Sequence, residues 1–368
     1  MNPKGRLKQV MIGEGAEGYE LTEKILYRLR GEPGIKVIRN GDPYPTGNNT
    51  TFPAQGKETL RLERFPGEMF KPCPGTIQYI CCGYWILHGA TNCPMDCSYC
   101  ILQSYFEKSS LSVFINIENE LNEICRQIEN HPNRIFRVGT GEFADSLALD
   151  PLVGWTQLLT PRFSRLKNAV LEFKTKTDQI AGLLSSPYRD RIIVSWSMNS
   201  PFIVTREEGG TCSLRRRLEA AKRCQQEGYV IGFHFDPIIE HHRWRDGYKR
   251  TIEMMDKYID PRGVIWISLG TMRYMPSLKS IIRARHPGSH VLDGEFIPGL
   301  DGKMRYLKTI RIDMYDWMKR ELDQWSRDLG VYLCMESDEV WKRSLGWSVK
   351  NSEGLARYLD QRVKMFFP

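Results

Sequence analysis

Three cysteines stand within eight residues in Cys93-Pro94-Met95-Asp96-Cys97-Ser98-Tyr99-Cys100, spaced C-x3-C-x2-C. Thiolates are the usual ligands of iron–sulfur clusters, and a [4Fe–4S] cubane normally takes four of them. A loop supplying three holds three corners and leaves one iron without a protein ligand. A small molecule can bind that open iron and receive an electron through it. S-adenosylmethionine (SAM) can chelate it through its amino and carboxylate groups and then be cleaved reductively, which is what a radical enzyme needs.

Other uses of these thiols have to be weighed. A disulfide framework is disfavoured, because no signal peptide precedes the cysteines and they form no regular pairs. Zinc would use Cys97 and Cys100 as one half-site and want a second one nearby. Cys81 and Cys82 are adjacent on an apolar, strand-like run, a poor geometry for completing it. Cys125, Cys212, Cys224 and Cys334 read as buried, inert thiols.

The elements that must position the loop follow from periodicity. The chain has 368 residues, 41% of them hydrophobic and 26% charged, which suits a globular core in one large domain or two. No apolar run approaches a membrane span, and Met1 to Arg6 leads into no apolar leader, so a cytoplasmic protein is expected. A small α/β unit is expected first, with a helix over Glu20 to Arg30 and a strand over Ile35 to Ile38. The stretch 41–58, rich in Gly, Pro and Asn, reads as a linker or surface loop. Residues Leu60 to Phe65 and Gln78 to Leu87 read as extended. After Cys100 the pattern alternates: strands over Arg134–Gly139, Ala169–Lys174, Arg191–Met198, Tyr229–Phe235 and Val264–Leu269 are separated by helical stripes. Repeated βα units predict a parallel sheet with helices outside it, and about six strands would curl into a partial barrel.

Ligands bind such sheets at the C-terminal ends of the strands. Those ends supply Thr140-Gly141-Glu142, Lys176, Ser197 and Asn199, Asp236, and Arg273-Tyr274. The Glu142 carboxylate could bind an ammonium group, Lys176 could meet a carboxylate, and Asp236 could accept from ribose hydroxyls. Glu142 and Asp236 are equally readable as helix caps, and Lys176 as a solvated strand end. The net charge of +8 suits a polyanionic partner. Arg215-Arg216-Arg217 and His241-His242-Arg243-Trp244-Arg245 are its densest local runs, each also readable as a solvated helix face.

The cysteine spacing, with an aromatic residue just before the last cysteine, resembles the radical-SAM signature, and the chain resembles the spore photoproduct lyase family from about residue 70 to 330. The stretches that carry the likeness are Ala90–Gln103, Phe173-Lys174-Thr175-Lys176, Ser197-Met198-Asn199-Ser200, Arg217-Leu218-Glu219-Ala220-Ala221, Gly228–Ile238 and Trp244–Tyr248. The resemblance implies a partial (β/α)6 barrel of the radical-SAM type and a [4Fe–4S]–SAM centre yielding a 5′-deoxyadenosyl radical. Its characterised reaction reverses a thymine dimer of spore DNA. Position by position, Cys93, Cys97 and Cys100 match the cluster ligands, Lys176 and Ser197 match SAM contacts, and Tyr99 matches the tyrosine within the motif. The stretch Thr140-Gly141-Glu142 looks like the Gly-Gly-Glu that other radical-SAM enzymes use to hold the SAM amino group. A reductant such as flavodoxin or ferredoxin is implied as partner.

Two positions depart from the family. Its lyases end the second strand with a cysteine that returns hydrogen to the thymine radical, and this chain has Glu142 there. They also carry a tyrosine directly after the last cluster cysteine, where this chain has Ile101. A carboxyl O–H bond is far stronger than a thiol S–H, so Glu142 cannot replace that donor. The expected organisation is an N-terminal α/β extension over 1–70, a radical-SAM partial barrel over 71–330 and a C-terminal extension over 331–368. The expected activity is hydrogen abstraction from a substrate carbon, in DNA-lesion repair. The alternatives are a radical-SAM enzyme for another substrate and a non-catalytic, metal-stabilised nucleic-acid-binding protein.

Overall fold

Strand sequences such as Ala-Val-Leu-Glu-Phe-Lys-Thr and Ile-Ile-Val-Ser-Trp-Ser are dense in β-branched and aromatic residues, which fit a pleated surface covered on both faces. In the computed structural model, which describes residues 6–39 and 54–368, they lie in the middle of an eight-stranded sheet. Its strands are β1 (Phe70–Pro72), β2 (Trp85–Leu87), β3 (Phe136–Gly139), β4 (Ala169–Thr175), β5 (Ile192–Ser197), β6 (Val230–Ile238), β7 (Val264–Thr271) and β8 (Val331–Leu333). They follow one another across the sheet in chain order. All neighbours are parallel except the β1–β2 pair. The expected partial barrel is present as β2 to β7, with β1 and β8 added at its edges.

Helices return the chain between strands. Ile117–Glu129 buries Leu121, Ile124 and Ile128 at helical spacing before β3. Leu214–Gln226 starts where the Ser213 hydroxyl accepts from the Arg216 N–H, and it buries Leu218, Ala221 and Cys224 before β6. The sheet curls until its two ends meet. The Ile80 N–H donates to the Glu336 carbonyl at 2.9 Å, and the Met335 N–H donates to the Ile80 carbonyl at 2.9 Å. This antiparallel bridge forms a seam between the lead-in to β2 and the segment after β8.

The extended stretch expected over Gln78 to Leu87 is a strand only from Trp85. Gly83 takes φ +64°, and a turn closes from the Tyr79 N–H to the Thr76 carbonyl, so Cys81 and Cys82 lie on an irregular lead-in. The linker expected over 41–58 lies outside the described residues up to 53, and Ala54–Glu58 is a 3-10 helix.

A second sheet has five strands in the order Lys36–Arg39, Gln9–Ile12, Thr59–Glu63, Leu111–Phe114 and Ala90–Thr91. The first three joins are parallel and the last is antiparallel. Val10, Ile12, Leu60, Leu62 and Val113 are almost fully buried within it. Among the described residues no helix is long and apolar enough to cross a membrane.

Candidate active site

The cysteine loop is the connection between the two antiparallel strands of the second sheet, with Ala90 opposite Val113 and Thr91 opposite Ser112. Asn92, at φ +63°, donates from its amide to the Lys108 and Ser110 carbonyls at 2.7 and 2.8 Å and closes the neck of the loop. Within it, Gln103 donates to the Ser98 carbonyl at 2.9 Å and the Cys100 carbonyl at 3.2 Å. Asp96 takes Lys57 at 3.0 Å and Arg285 at 2.8 Å. Burial opposes that charge, yet the two cations hold the Asp96 carboxyl at about 2.

The three sulfurs are close enough to feel one another. Burial pushes the Cys93 thiol up to about 12 and the Cys97 thiol well above its usual range; Cys100 adds to both, and Lys57 and Lys176 respectively oppose them. Thiols that resist ionising alone, within electrostatic reach of one another and of two ammonium groups, fit an iron–sulfur cluster whose metal charge compensates the thiolates.

A buried polar knot ties the loop to the main sheet. Asp96–Cys97 pairs antiparallel with Glu208–Gly209, and the Ser98 N–H donates to the Glu207 carbonyl at 2.8 Å. The Tyr99 hydroxyl donates to the Glu208 carboxylate, which also takes the Arg217 guanidinium. Arg217, with no exposed surface, donates further to the Ser197 carbonyl at 2.8 Å, the Cys212 carbonyl at 3.1 Å and the Thr211 hydroxyl at 2.8 Å. Burial, then the Glu208 charge, pushes the Tyr99 hydroxyl well up. The Lys176 ammonium lies 5.8 Å from the centre of the Tyr99 ring. The Lys176 N–H is fixed at 2.8 Å by Asp145, which also accepts from the Thr175 hydroxyl at 2.7 Å.

The rest of the strand ends open on a cavity of about 250 Å³. Gly141, Glu142 and Asp236 line it, together with Lys174, Arg273, Tyr84, Tyr105 and Phe143. The Glu142 carboxylate accepts from the Tyr84 hydroxyl. Asp236, which precedes a cis proline, takes Arg273 through two bonds of 3.1 and 3.0 Å. Burial opposes ionisation of Asp236, but Arg273 and then Lys174 hold its carboxyl down. Lys174 is held in its ammonium form against burial by Glu142, Asp236 and Glu172. Deeper in the bore, Glu172 accepts from His234 and Trp266, both at 2.9 Å, and from the Ser195 hydroxyl.

The structure therefore divides the expected site residues. Tyr99 lies in the cysteine loop with Lys176 near its ring, Ser197 is tied to it through Arg217, and Gly141, Glu142 and Asp236 face the cavity. Thr140 turns away and donates to the Ser146 hydroxyl at 2.7 Å. Asn199 is 1% exposed and spent internally, donating to the Pro237 carbonyl at 3.0 Å and accepting from Tyr248 and the Ser200 N–H. Of the basic run 215–217, Arg215 pairs with Glu219 and Arg216 with Asp178, whereas Arg217 is the centre of the buried knot. Trp244 is buried, edge-on to Trp317. Sequence reasoning missed Glu208, Lys174, Glu172 and Tyr84. A signal existed for Glu172 and Lys174, which sit two apart on one face of an otherwise apolar strand.

Among the thiols read as inert, Cys212 and Cys224 are buried, but Cys125 and Cys334 are only half-buried. Cys334 lines the cavity with Cys73, Cys81 and Cys82.

Comparison with known proteins gives the chain's family and supports its fold. Residues 82–311 match the family model described as spore photoproduct lyase. The chain is 26% identical over 201 residues to spore photoproduct lyase of Bacillus subtilis (strain 168), covering 54% of this chain and 59% of that one. It is 25% identical over 201 residues to the enzyme of Geobacillus sp. (strain Y412MC61), with the same shares covered. The matches thus span about 59% of the length of these relatives. A solved mutant of spore photoproduct lyase with dinucleoside spore photoproduct superposes with a TM-score of 0.79 at 22% identity, covering 89% of this chain and 98% of that one. Another, with bound AdoMet and the same dinucleoside, gives 0.78 at 23% identity, covering 90% and 99%. With the family model matching more than half of its length, the chain belongs to the spore photoproduct lyase family.

Proposed function

We propose that the chain is a radical-SAM enzyme that abstracts hydrogen from a thymine lesion in DNA and splits it. The observation carrying this reading is the loop of three mutually interacting thiols, knotted through Glu208 and Arg217 to the strand ends around the cavity. Cys93, Cys97 and Cys100 would hold a [4Fe–4S] cluster, with SAM on its open iron. Bound there, this pair supplies a 5′-deoxyadenosyl radical on reduction, the electron coming from a donor such as flavodoxin or ferredoxin.

The chain's own residues bind and orient. Lys176 and Ser197, at family-matching positions, would bind SAM, with the Tyr99 ring 5.8 Å from the Lys176 ammonium. Glu142, with one oxygen already engaged by Tyr84, would offer its other oxygen to an N–H of the SAM amino group. Asp236, clamped by Arg273, presents a fixed negative edge to ribose hydroxyls or an amine. Tyr84, Tyr105 and Phe143 supply aromatic surface for a base, and Lys174 a cation for its phosphate. That similar structures contain dinucleoside spore photoproduct supports this substrate class.

Anaerobic reconstitution with iron and sulfide, then SAM, reductant and dinucleoside spore photoproduct, tests the reading. Expected are brown charge-transfer absorbance, 5′-deoxyadenosine and two thymidines released per lesion, with both absorbance and cleavage lost in Cys97→Ala. A colourless protein that binds zinc alone would overturn it. A second reading, the same chemistry on another substrate, is favoured by Glu142 standing where the lyases carry their hydrogen-returning cysteine. SAM cleavage without release of thymidine would select it.

A further inference from the structure

The main sheet meets itself at one place, the Ile80–Glu336 bridge, and two thiols sit beside that seam. Cys82 is two residues past Ile80, and Cys334 is two residues before Glu336. The antiparallel bridge brings the segments that carry them side by side, and both side chains line the central cavity. Neither has a part in the function proposed above, and the inference does not depend on it. We infer that Cys82 and Cys334 are an oxidisable dithiol whose disulfide latches the two edges of the sheet together.

The neighbouring thiols are placed differently. The Cys81 sulfur accepts from the Thr76 N–H at 3.2 Å and faces the Thr76 carbonyl at 3.7 Å, so its loop holds it in place. Cys73 is pushed up to about 12 by burial and by the Glu142 charge, which leaves almost no thiolate. Cys82 moves the other way. The neighbouring Cys334 thiol lowers it, burial opposes, and Arg137 adds to the lowering. The thiolate is the attacking species in thiol–disulfide exchange, so Cys82 is the entry point. Its thiolate attacks one sulfur of a disulfide oxidant such as glutathione disulfide and expels one glutathione thiolate. Cys334 then gives up its proton, attacks the mixed disulfide at Cys82 and expels the second. The protein loses two hydrogens, and the oxidant becomes two molecules of glutathione.

Cluster-loaded protein is exposed to glutathione disulfide without oxygen, quenched in acid, alkylated and mapped by mass spectrometry. Expected is a peptide pair joined through Cys82 and Cys334, with two of the ten thiols lost. Amide exchange at Ile80 and Met335 should slow in the oxidised form. Cys334→Ser should instead carry glutathione on Cys82, and Cys81→Ser should keep the cross-link. A cross-link lost in Cys81→Ser, a cross-link between any other pair, or ten thiols surviving prolonged exposure would each overturn the inference.

Discussion

His88 sits with both ring nitrogens buried and without partners among the described residues, packed among Phe65, Phe114 and Phe143 at centroid distances of 4.6, 5.0 and 4.5 Å. Burial, helped by Lys71, holds its imidazole at about 4. An unfolded chain takes up that proton near 6.5, whereas the folded one resists until about 4. Between these values the unfolded state binds more protons, so stability falls as pH drops through the window and levels off below it. The accumulated loss is up to about 3 kcal/mol. His88→Phe should flatten that part of the profile and raise stability at pH values inside the window, read from urea midpoints across pH. Departures from the family are also legible at this scale: Glu142 and Ile101 are single letters in the sequence. That Tyr84 holds the Glu142 carboxylate is not legible, because the two residues are brought together only by the β2–β3 pairing.

At the scale of elements, Glu172 joins four consecutive strands. It projects from β4 and accepts from Ser195 on β5, His234 on β6 and Trp266 on β7. Burial opposes its charge, but these donors, His234 first, hold the carboxyl at about 2. Glu172→Ala would leave three buried donors unpaired and should lower stability by about 3 kcal/mol or more in denaturant titration. Helices and parallel strands were legible from period alone, because apolar residues recur at 3.6 or 2. The cysteine loop was legible from its spacing. What anchors the loop was not. Arg217 lies in a basic run that reads as a solvated face, and only the fold shows Glu208 beneath it. Nor does periodicity show that Leu111–Phe114 joins the N-terminal strands, since pairing between distant segments leaves no local pattern.

Across the whole molecule, the family match stops at residue 311, but the sheet does not. β8 pairs with β7, Glu336 bonds to Ile80 across the seam, and Arg311 and Tyr315 donate to the Glu336 carboxylate at 2.9 Å each. Ending the chain at Gly330 should therefore uncover β7 and leave the Arg311 charge buried and unpaired, a change of several kcal/mol. The expected result is loss of the single cooperative thermal transition in calorimetry. A truncated chain melting like the intact one would show the segment after 330 to be an accessory.

The hairpin neck at Asn92 stands on the second sheet, while Lys176 and Ser197 stand on the first. The cysteine sulfurs and the side chains nearest them thus rest on separate foundations, coupled through the short ladder to Glu208–Gly209 and the knot of Glu208 with Arg217. Settling of either foundation, even from a change far from the mouth, would widen or narrow the gap in which the reaction has to occur.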